Sequence, residues 1–447
     1  MADSVQTRRA AALRSVFRDY HGPAFSIRLW DGWQWSSSAN ERPSCTIVVA
    51  TPDALTTLIA RPNEVTLGEA YIHGDLDVEG DIFSVFEVAG YLFSRPKGLK
   101  QRTLEKLGSV AYVVGQRLKH GALNSKSRDR LSIAYHYDLP AEFFEPWLGP
   151  TMVYSCAYFR DSADSLEAAQ TQKLDLICRK LGLQPGDRFL DIGCGWGSLV
   201  LHAAKRWHVH ADGITLSQRQ AEVGRRRIAQ SQLEDCCSVE LLDYRDLKET
   251  ESYDKIASIG MFEHVGRKNL QGYFGIAKRL LRPGGLFLNH GIARSATSPI
   301  RENSFIRRYV FPDGRLVTIS ETIAAAESQG FEVRDVENLR EHYELTLRRW
   351  VDGLERNADS LIRMVSTMKY RIWLLYAAGC AAAFRRGDLT VQQVLLSRRD
   401  RGRSRIPLTR EKWYAHDGPQ QTSDRATTDE RLTTAGYRDS RVTESRN

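Results

Sequence analysis

Cysteine is scarce in this chain of 447 residues: there are seven, and no two of them form a C-x-x-C pair. An odd count without paired spacing argues against a disulfide framework and a structural zinc site, and fits a reducing cytoplasm. Long apolar runs are lacking too. The longest, IWLLYAAGCAAAF (residues 372–384), is too short to span a bilayer. The opening residues MADSVQTRRAAALRSVF have no apolar core of the secretory kind. Membrane contact is therefore expected only at a surface. No internal repeat is visible, and no RNA-recognition, KH or zinc-finger signature accompanies the basic residues, so nucleic acid is not an expected partner.

What is present is an ordinary globular composition, 42% hydrophobic and 26% charged, with a formal net charge of +8. The excess favours an anionic partner such as anionic lipid or an acidic metabolite. The length suffices for two or three domains. Residues 1–125 read as a smaller accessory α/β domain. There CTIVVATPDALTTLIA is a strand followed by a helix started at Thr51 or Asp53, and GEAYIHGDLDVEGDIFSVFEVAGYLF carries strand–turn–helix signals. The polar stretch KHGALNSKSRDR (residues 119–130) marks the boundary. A second domain is expected over 126–412. Residues 413–447 are polar, almost free of large apolar side chains, and expected to be disordered.

In the second domain the pattern alternates. Strands are expected at DRFLDI, WHVHADGI, SVELLD, YDKIASIG and GLFLNHGI, with helices between them. TISETIAAAESQGF then reads as a helix, EVRDVENL as a strand, residues 343–384 as a long helical region, and LTVQQVLLSR as a strand closing the sheet. Such alternation implies a doubly wound parallel sheet, α/β and Rossmann-like, with helices on both faces and ligands beyond the carboxyl ends of the strands. At the first of those ends stands DIGCGWG, with Gly193, Gly195 and Gly197 at alternate positions after Asp191. Three side chains are missing where a strand turns into a helix, so something must approach this backbone closely. The spacing is neither the G-x-G-x-x-G of dinucleotide sites nor a P-loop. Thr215, Gln220, Asp243, Tyr244, Glu263 and His264 fall at the ends of the next three strands, gathering polar groups at one edge.

The glycine turn together with RPGG resembles class I S-adenosylmethionine-dependent methyltransferases. YHYDLPAEFFEPWLGPTMVYSCAYF, GITLSQRQ, DYRDL, GMFEHVGRKN, FIRRYVFPDG and HYELTLRRWVDGL, in this order, are similar to cyclopropane-fatty-acyl-phospholipid synthases and their mycolic-acid cyclopropane synthase relatives. The resemblance covers about residues 130–400. GEAYIHGDLDVEGD is similar to the extra domain of the phospholipid-type enzymes. It implies transfer of a carbon from S-adenosylmethionine to the cis double bond of an unsaturated phospholipid acyl chain, giving a cyclopropane, or a methylene or methyl branch instead. For the cofactor it implies Tyr154 and Ser155 over the methionine end and the turn from Phe189 through Asp191, Gly193, Cys194, Gly195, Trp196 and Gly197. Thr215, Leu216 and Gln220 would reach the ribose, and Asp243, Tyr244 and Arg245 would flank the adenine. Asp212, by contrast, sits too early in its strand to hold the ribose.

An alkene is a poor nucleophile, so positioning must supply most of the catalysis, roughly 7–11 kcal/mol at best. The carbocation that results needs a dry pocket and aromatic faces. Tyr137 and Tyr154 are the aromatic candidates among the many in residues 135–159. The resemblance also implies a bound bicarbonate as base, held by Cys156, Glu263, His290, the Ile292 backbone and Tyr343. Glu263 suits an anion only if it shares a proton with it. Cys380 matches a cysteine marked active in that family, although its Ala and Gly neighbours point to a packed helix. Cys156, Glu263 and His290 lack the local spacing of a metal site.

The resemblance implies a cytoplasmic protein working at the inner face of the membrane on phospholipid, with the N-terminal domain binding lipid or pairing two copies. FIRRYVFPDGR and RRDRGRSRIPLTR, which mix apolar and basic residues, are the expected docking segments.

Overall fold

A computed structural model describes residues 2–60, 63–95, 139–298, 304–311, 316–404 and 406–415. The expected boundary near 125, and Tyr137, lie outside these residues.

The first unit is a four-stranded sheet of order β2-β1-β3-β4, built from β1 (Phe25–Leu29), β2 (Gln34–Ser36), β3 (Cys45–Val49) and β4 (Leu76–Gly80). β3 alternates as a half-buried strand should: Cys45, Ile47 and Val49 are buried, Thr46 and Val48 less so. The helix Pro52–Ala60 follows, and Thr51 Oγ1 accepts the Ala54 amide at 3.2 Å, so Thr51 supplies the cap. Residues 68–73, at the head of the segment expected to hold a strand, a turn and a helix, belong to the helix Glu64–His73, whose N-cap is Asn63. Asp81 caps the helix Ile82–Ser94. Phe17, Phe25, Ile27 and Trp35 fill the core between sheet and helices.

The second sheet has seven strands in the order β10-β11-β9-β8-β5-β6-β7. They are β5 (Arg188–Ile192), β6 (His210–Thr215), β7 (Cys237–Leu241), β8 (Tyr253–Ile259), β9 (Leu281–Arg294), β10 (Glu332–Asn338) and β11 (Leu389–Ser397). β7, β6, β5, β8 and β9 run parallel, while β11 pairs antiparallel with both β9 and β10. Alternate residues of β5 feed the two faces. Phe189 joins the cluster under helices Leu166–Leu181 and Ser198–Trp207, and Leu190 and Ile192 join the cluster under Leu270–Leu280 and Ile319–Ser328. This is the mixed α/β, doubly wound architecture expected. RPGG lies inside β9 as an irregularity: Tyr253 faces Leu281, then Lys255 faces Leu286. The helical region after 339 is three helices, Arg340–Arg356, Ala358–Val365 and Thr367–Arg386, broken at Asn357 and at Ser366, whose φ is +119°.

These three helices and Ala141–Leu148 form an aromatic roof that includes Phe143, Phe144, Trp147, Trp350 and Trp373. Tyr71, Ile72 and Ile82 of the first unit are buried in the same cluster. Arg371 ties the two sheets' units together, donating to the Tyr71 carbonyl and to Asp77, both at 2.7 Å.

Both expected docking segments are described in part, 312–315 and 405 lying outside the described residues, and each makes some contacts within the chain. Phe305 is buried against the helix Glu64–His73, where a Cβ on Gly68 would stand 2.4 Å from its ring, and Arg308 pairs with Glu69. The apolar half of FIRRY thus serves the joint between units, and one of its cations is already answered. Residues 398–410 follow Ser397, which pairs with Leu286 and Glu332 near the beginnings of β9 and β10. They lie at the edge of the sheet opposite the glycine turn, and Arg398 binds the Leu281 carbonyl and Glu251 there. Trp413 is buried in a short helix, Glu411–Tyr414, so packed chain continues past residue 412. Among the described residues no helix is long and apolar enough to cross a membrane.

Candidate active site

All three glycines of the turn have positive φ: +85° at Gly193, +55° at Gly195 and +79° at Gly197. That region disfavours any side chain. Space forbids one at Gly193 as well, because a Cβ there would stand 2.7 Å from Met261 Cβ. The Gly193 and Cys194 amides both donate to the Ile214 carbonyl, which pins the turn to the end of β6. Trp196 and the helix Ser198–Trp207 follow directly.

Over this turn lies the segment 152–156. Gln170 Nε2 donates to the Ser155 carbonyl at 2.9 Å, and Lys173 Nζ donates to Ser155 Oγ at 3.0 Å. Arg227 donates to the carbonyls of Trp196 at 3.0 Å and Thr151 at 3.3 Å, so one guanidinium joins segment and turn. Between them is a cavity. Tyr154, Ser155, Asp191, Gly193, Cys194, Gly195, Trp196, Thr215, Leu216, Gln220, Tyr244 and Arg245 all line it, as does Lys173.

Thr215 Oγ1 donates to Gln220 Oε1 at 2.9 Å, both residues buried. Asp212 stands opposite Leu190 in mid-strand and bonds Ser238 and Tyr253, away from the cavity. Asp243 is buried and turned onto its neighbour: Arg245 Nε and a terminal nitrogen donate to its two oxygens at 2.9 and 2.6 Å. Asp243 therefore fixes Arg245 against Tyr244, whose ring lies 5.6 Å from the guanidinium, rather than lining the cavity itself. Burial pushes the Asp191 carboxyl up to about 7, with Lys173 opposing, and among the described residues Asp191 Oδ1 has no hydrogen-bond partner.

A second group of polar residues adjoins the aromatic roof. Glu263 sits in a 3-10 turn (Phe262–His264) clamped on β9, where a Cβ on Gly291 would meet Phe262 at 2.9 Å. Its Oε1 accepts the Ile292 amide at 2.7 Å, and its buried Oε2 has no partner among the described residues. The Ile292 amide is thus engaged with Glu263. Burial pushes the Glu263 carboxyl up to about 7 against the pull of that amide. His290 lies two residues away on β9, so its side chain leaves the same face of the strand as that of Ile292. Gln393, directly across from it on β11, contacts its Nδ1 at 3.3 Å, and the His290 Nε2 has no partner among the described residues. Burial, then the cations Lys173 and Lys180, hold His290 well below its usual range, so it is neutral.

Tyr343 completes the group. Burial first, then Tyr154, Cys156, Glu263 and Cys380, hold its phenol well above the ordinary value. Cys156 is fully buried, and burial pushes its thiol well up although Lys173 opposes this. Cys380 is pushed up to about 12 by burial. Neither is a thiolate near neutral pH. Tyr154 stacks on Trp350 at 5.0 Å and points its hydroxyl toward that of Tyr376, 3.5 Å away.

Sequence reasoning missed Lys173, Gln170 and Arg227, which lie on helices and look like ordinary surface residues by composition. The one available signal was Lys173 and Gln170 recurring on one helical face with Leu166, Ala169, Leu174 and Ile177. Met261 and Gln393 carried no signal at all.

The fold and the cavity define a class I methyltransferase. The family described as Mycolic acid cyclopropane synthetase matches residues 124–394, and a domain of unknown function matches 12–92. A probable fatty acid methyltransferase of Pseudomonas putida is 38% identical over 410 residues, covering 90% of this chain and 99% of its own. The cyclopropane-fatty-acyl-phospholipid synthase of Escherichia coli K12 is 36% identical over 354 residues, 79% of this chain and 87% of its own. Among solved structures, the mycolic acid cyclopropane synthase CmaA1 complexed with SAH and CTAB is 36% identical with a TM-score of 0.57, over 60% of this chain and 97% of that one. The chain belongs to the cyclopropane synthase family of S-adenosylmethionine-dependent methyltransferases.

Proposed function

We propose that this enzyme adds a methylene bridge to the cis double bond of an unsaturated phospholipid acyl chain. S-adenosylmethionine supplies the carbon as an electrophilic methyl group on its sulfonium. The cavity over the glycine turn would hold that cofactor, with Thr215 and Gln220 toward the ribose and Tyr244 and Arg245 toward the adenine. The alkene's π pair would form the new carbon–carbon bond while the methyl–sulfur bond breaks and its electrons stay on sulfur as a neutral thioether, leaving positive charge on the neighbouring acyl carbon. Tyr154, Trp350 and the roof around them exclude water and offer aromatic faces to that charge, about 0.5–2 kcal/mol per face. Loss of one proton from the transferred methyl closes the ring.

The base is proposed to be bicarbonate, held among Cys156, Glu263, His290 and Tyr343. The observation that carries this reading is the pair of unsatisfied buried atoms, Glu263 Oε2 and His290 Nε2. Buried polar atoms in native proteins are rarely left without partners. A small oxyanion suits both: a neutral imidazole donates one N–H, and a carboxyl raised to about 7 retains a proton to donate. The Ile292 amide stays with Glu263 and orients it.

A second reading has the methylated cation lose its proton without ring closure, leaving a methylene branch, or a methyl branch after reduction by a separate donor. The P. putida relative, a probable fatty acid methyltransferase matched over nearly its whole length, favours keeping it. Contact with phospholipid at the inner membrane face is inferred from the net charge of +8 and the acyl substrate. The experiment is lipid mass spectrometry after expression in a host lacking such lipids. Acyl chains heavier by one CH₂ support one-carbon transfer, and NMR then separates a ring from a branch. Unaltered lipids despite folded protein that binds cofactor would sink the proposal.

A further inference from the structure

A row of polar side chains crosses the large sheet, and the reaction outlined above uses only its first member. His290 on β9 lies directly opposite Gln393 on β11, and Gln393 lies directly opposite Glu337 on β10. Residues paired in this way leave the sheet on one face. The next pair along that face, Leu288 and Leu395, is apolar and packs in the core under the helix Leu166–Leu181. Lys180 of that helix has a fully buried side chain and pairs with Glu337, while Asp335 stands 3.6 Å away. His290 and Gln393 are each 1% exposed. Water therefore does not decide how the imidazole and the amide face each other.

We propose that Gln393 is a positioning residue that fixes the tautomer of His290, keeping the ring proton on Nε2 where the base is held. The inference rests on the reading of His290 as part of the base site, and it assigns what orients that histidine. A neutral imidazole has one N–H and one lone pair. Gln393 Nε2 stands 3.3 Å from His290 Nδ1. An amide NH₂ only donates, so Nδ1 accepts and the single proton sits on Nε2. Among the described residues Nε2 is the ring nitrogen without a partner. The competing arrangement reverses the amide, so that Oε1 accepts from an Nδ1–H. Charge opposes it. After burial, the groups that act on His290 are the cations Lys173 and Lys180, and Lys180 holds Glu337 on the far side of Gln393. A buried cation there favours the amide oxygen on its own side and the NH₂ against the ring. The reversed form would also leave a lone pair on Nε2, which repels an anion instead of donating to it.

The test reads the ring directly, by ¹⁵N NMR of histidine-labelled protein, with the His290 signals identified by their loss in His290→Asn. In the unaltered protein Nε2 should carry the proton and Nδ1 the lone pair; a proton on Nδ1 overturns the inference. Gln393→Met keeps the bulk and removes the donor. It is expected to mix the two tautomers and to lower turnover about tenfold, the worth of one hydrogen bond, while affinity for S-adenosylhomocysteine stays within about twofold. Turnover lost with the His290 signals unchanged would make Gln393 a packing residue and overturn the inference, as would unchanged turnover. If Gln393→Met does not fold, Gln393→Leu carries the same expectations, and the spectrum of the unaltered protein decides the tautomer without either variant. Bicarbonate titrated into the unaltered protein should shift the Nε2 signal. An Nε2–H that depends on Gln393 and ignores bicarbonate would remove the reading of the base and keep Gln393 as the residue that sets the tautomer.

Discussion

Two carboxyl groups at opposite ends of the site reach the same acidity by the same means and are suited to opposite tasks. Asp191 under the glycine turn and Glu263 under the aromatic roof are both buried, and burial raises each to about 7. Their company differs. Asp191 faces the cation Lys173 and leaves Oδ1 bare in a cavity shaped for a cofactor. Glu263 has a backbone amide on one oxygen, a bare second oxygen, and a neutral His290 two residues along β9 from its amide partner. Lys173 beside Asp191 suits the ionised form and a positive group, whereas the bare Oε2 of Glu263 and the neutral His290 suit the protonated form and a negative group. A perturbed carboxyl thus marks a functional site, while its neighbours decide which charge it serves.

The hardest blow to this contrast is Glu263→Ala. Turnover should fall about 10³-fold, in the range lost with an acid–base group, while calorimetric affinity for S-adenosylhomocysteine stays within about threefold. Parallel losses in turnover and cofactor affinity would show that the two ends are one unit.

Gly193→Ala strikes the other end. Its φ of +85° and the 2.7 Å approach to Met261 both oppose a methyl group. The backbone part alone costs about 1–2 kcal/mol, so cofactor affinity should drop about tenfold and the melting temperature should fall. Adding Met261→Gly removes both the Cβ and the Cγ that collide but not the φ, so it should recover part of the loss. Full recovery would show that the left-handed backbone carries no cost.

Titration separates the two carboxyls by sign. Asp191 serves when ionised, so affinity for S-adenosylhomocysteine is present above about pH 7 and is lost, about tenfold per unit, as pH falls through that value. Glu263 serves when protonated, so turnover at saturating cofactor declines as pH rises through about 7. Binding and turnover that lose strength on the same side of neutrality would contradict the assignment.

Most of the sheet was legible because its signals are local. Alternating apolar stretches ended by turns gave β5 to β8 within a few residues, and glycines at alternate positions can answer only a backbone with positive φ. Three kinds of feature were not legible. Long-range pairing hid the bulge inside β9 and the direction of β11. Burial of polar side chains hid Lys173, since a lysine on a helix reads as solvated until the helix's neighbours are known. Amphipathic segments were ambiguous as to what covers them: Phe305 and Arg308 have the chemistry of a membrane surface and meet Glu69 and Gly68 of the first unit. Asp243 shows the same limit at short range, for position placed it beside the cavity and only geometry turned it onto Arg245.

The smallest expected effect concerns the roof itself. Cys380 matched a cysteine marked active in the family, and its sulfur lies among Tyr343 and Tyr376. Burial holds it as a thiol up to about 12, however, and the transfer of a methyl group to an alkene has no step for a covalent sulfur. Cys380→Ser should therefore leave turnover within about threefold, at a stability cost of about 1 kcal/mol for burying a hydroxyl in place of sulfur. The asymmetry with Glu263 is the point: both are buried beside Tyr343, but only the carboxyl is poised to gain or lose a proton near neutral pH. Loss of turnover in a folded Cys380→Ser protein that still binds S-adenosylhomocysteine would place reactive chemistry in the roof and break the division between a polar floor that acts and an apolar roof that excludes water.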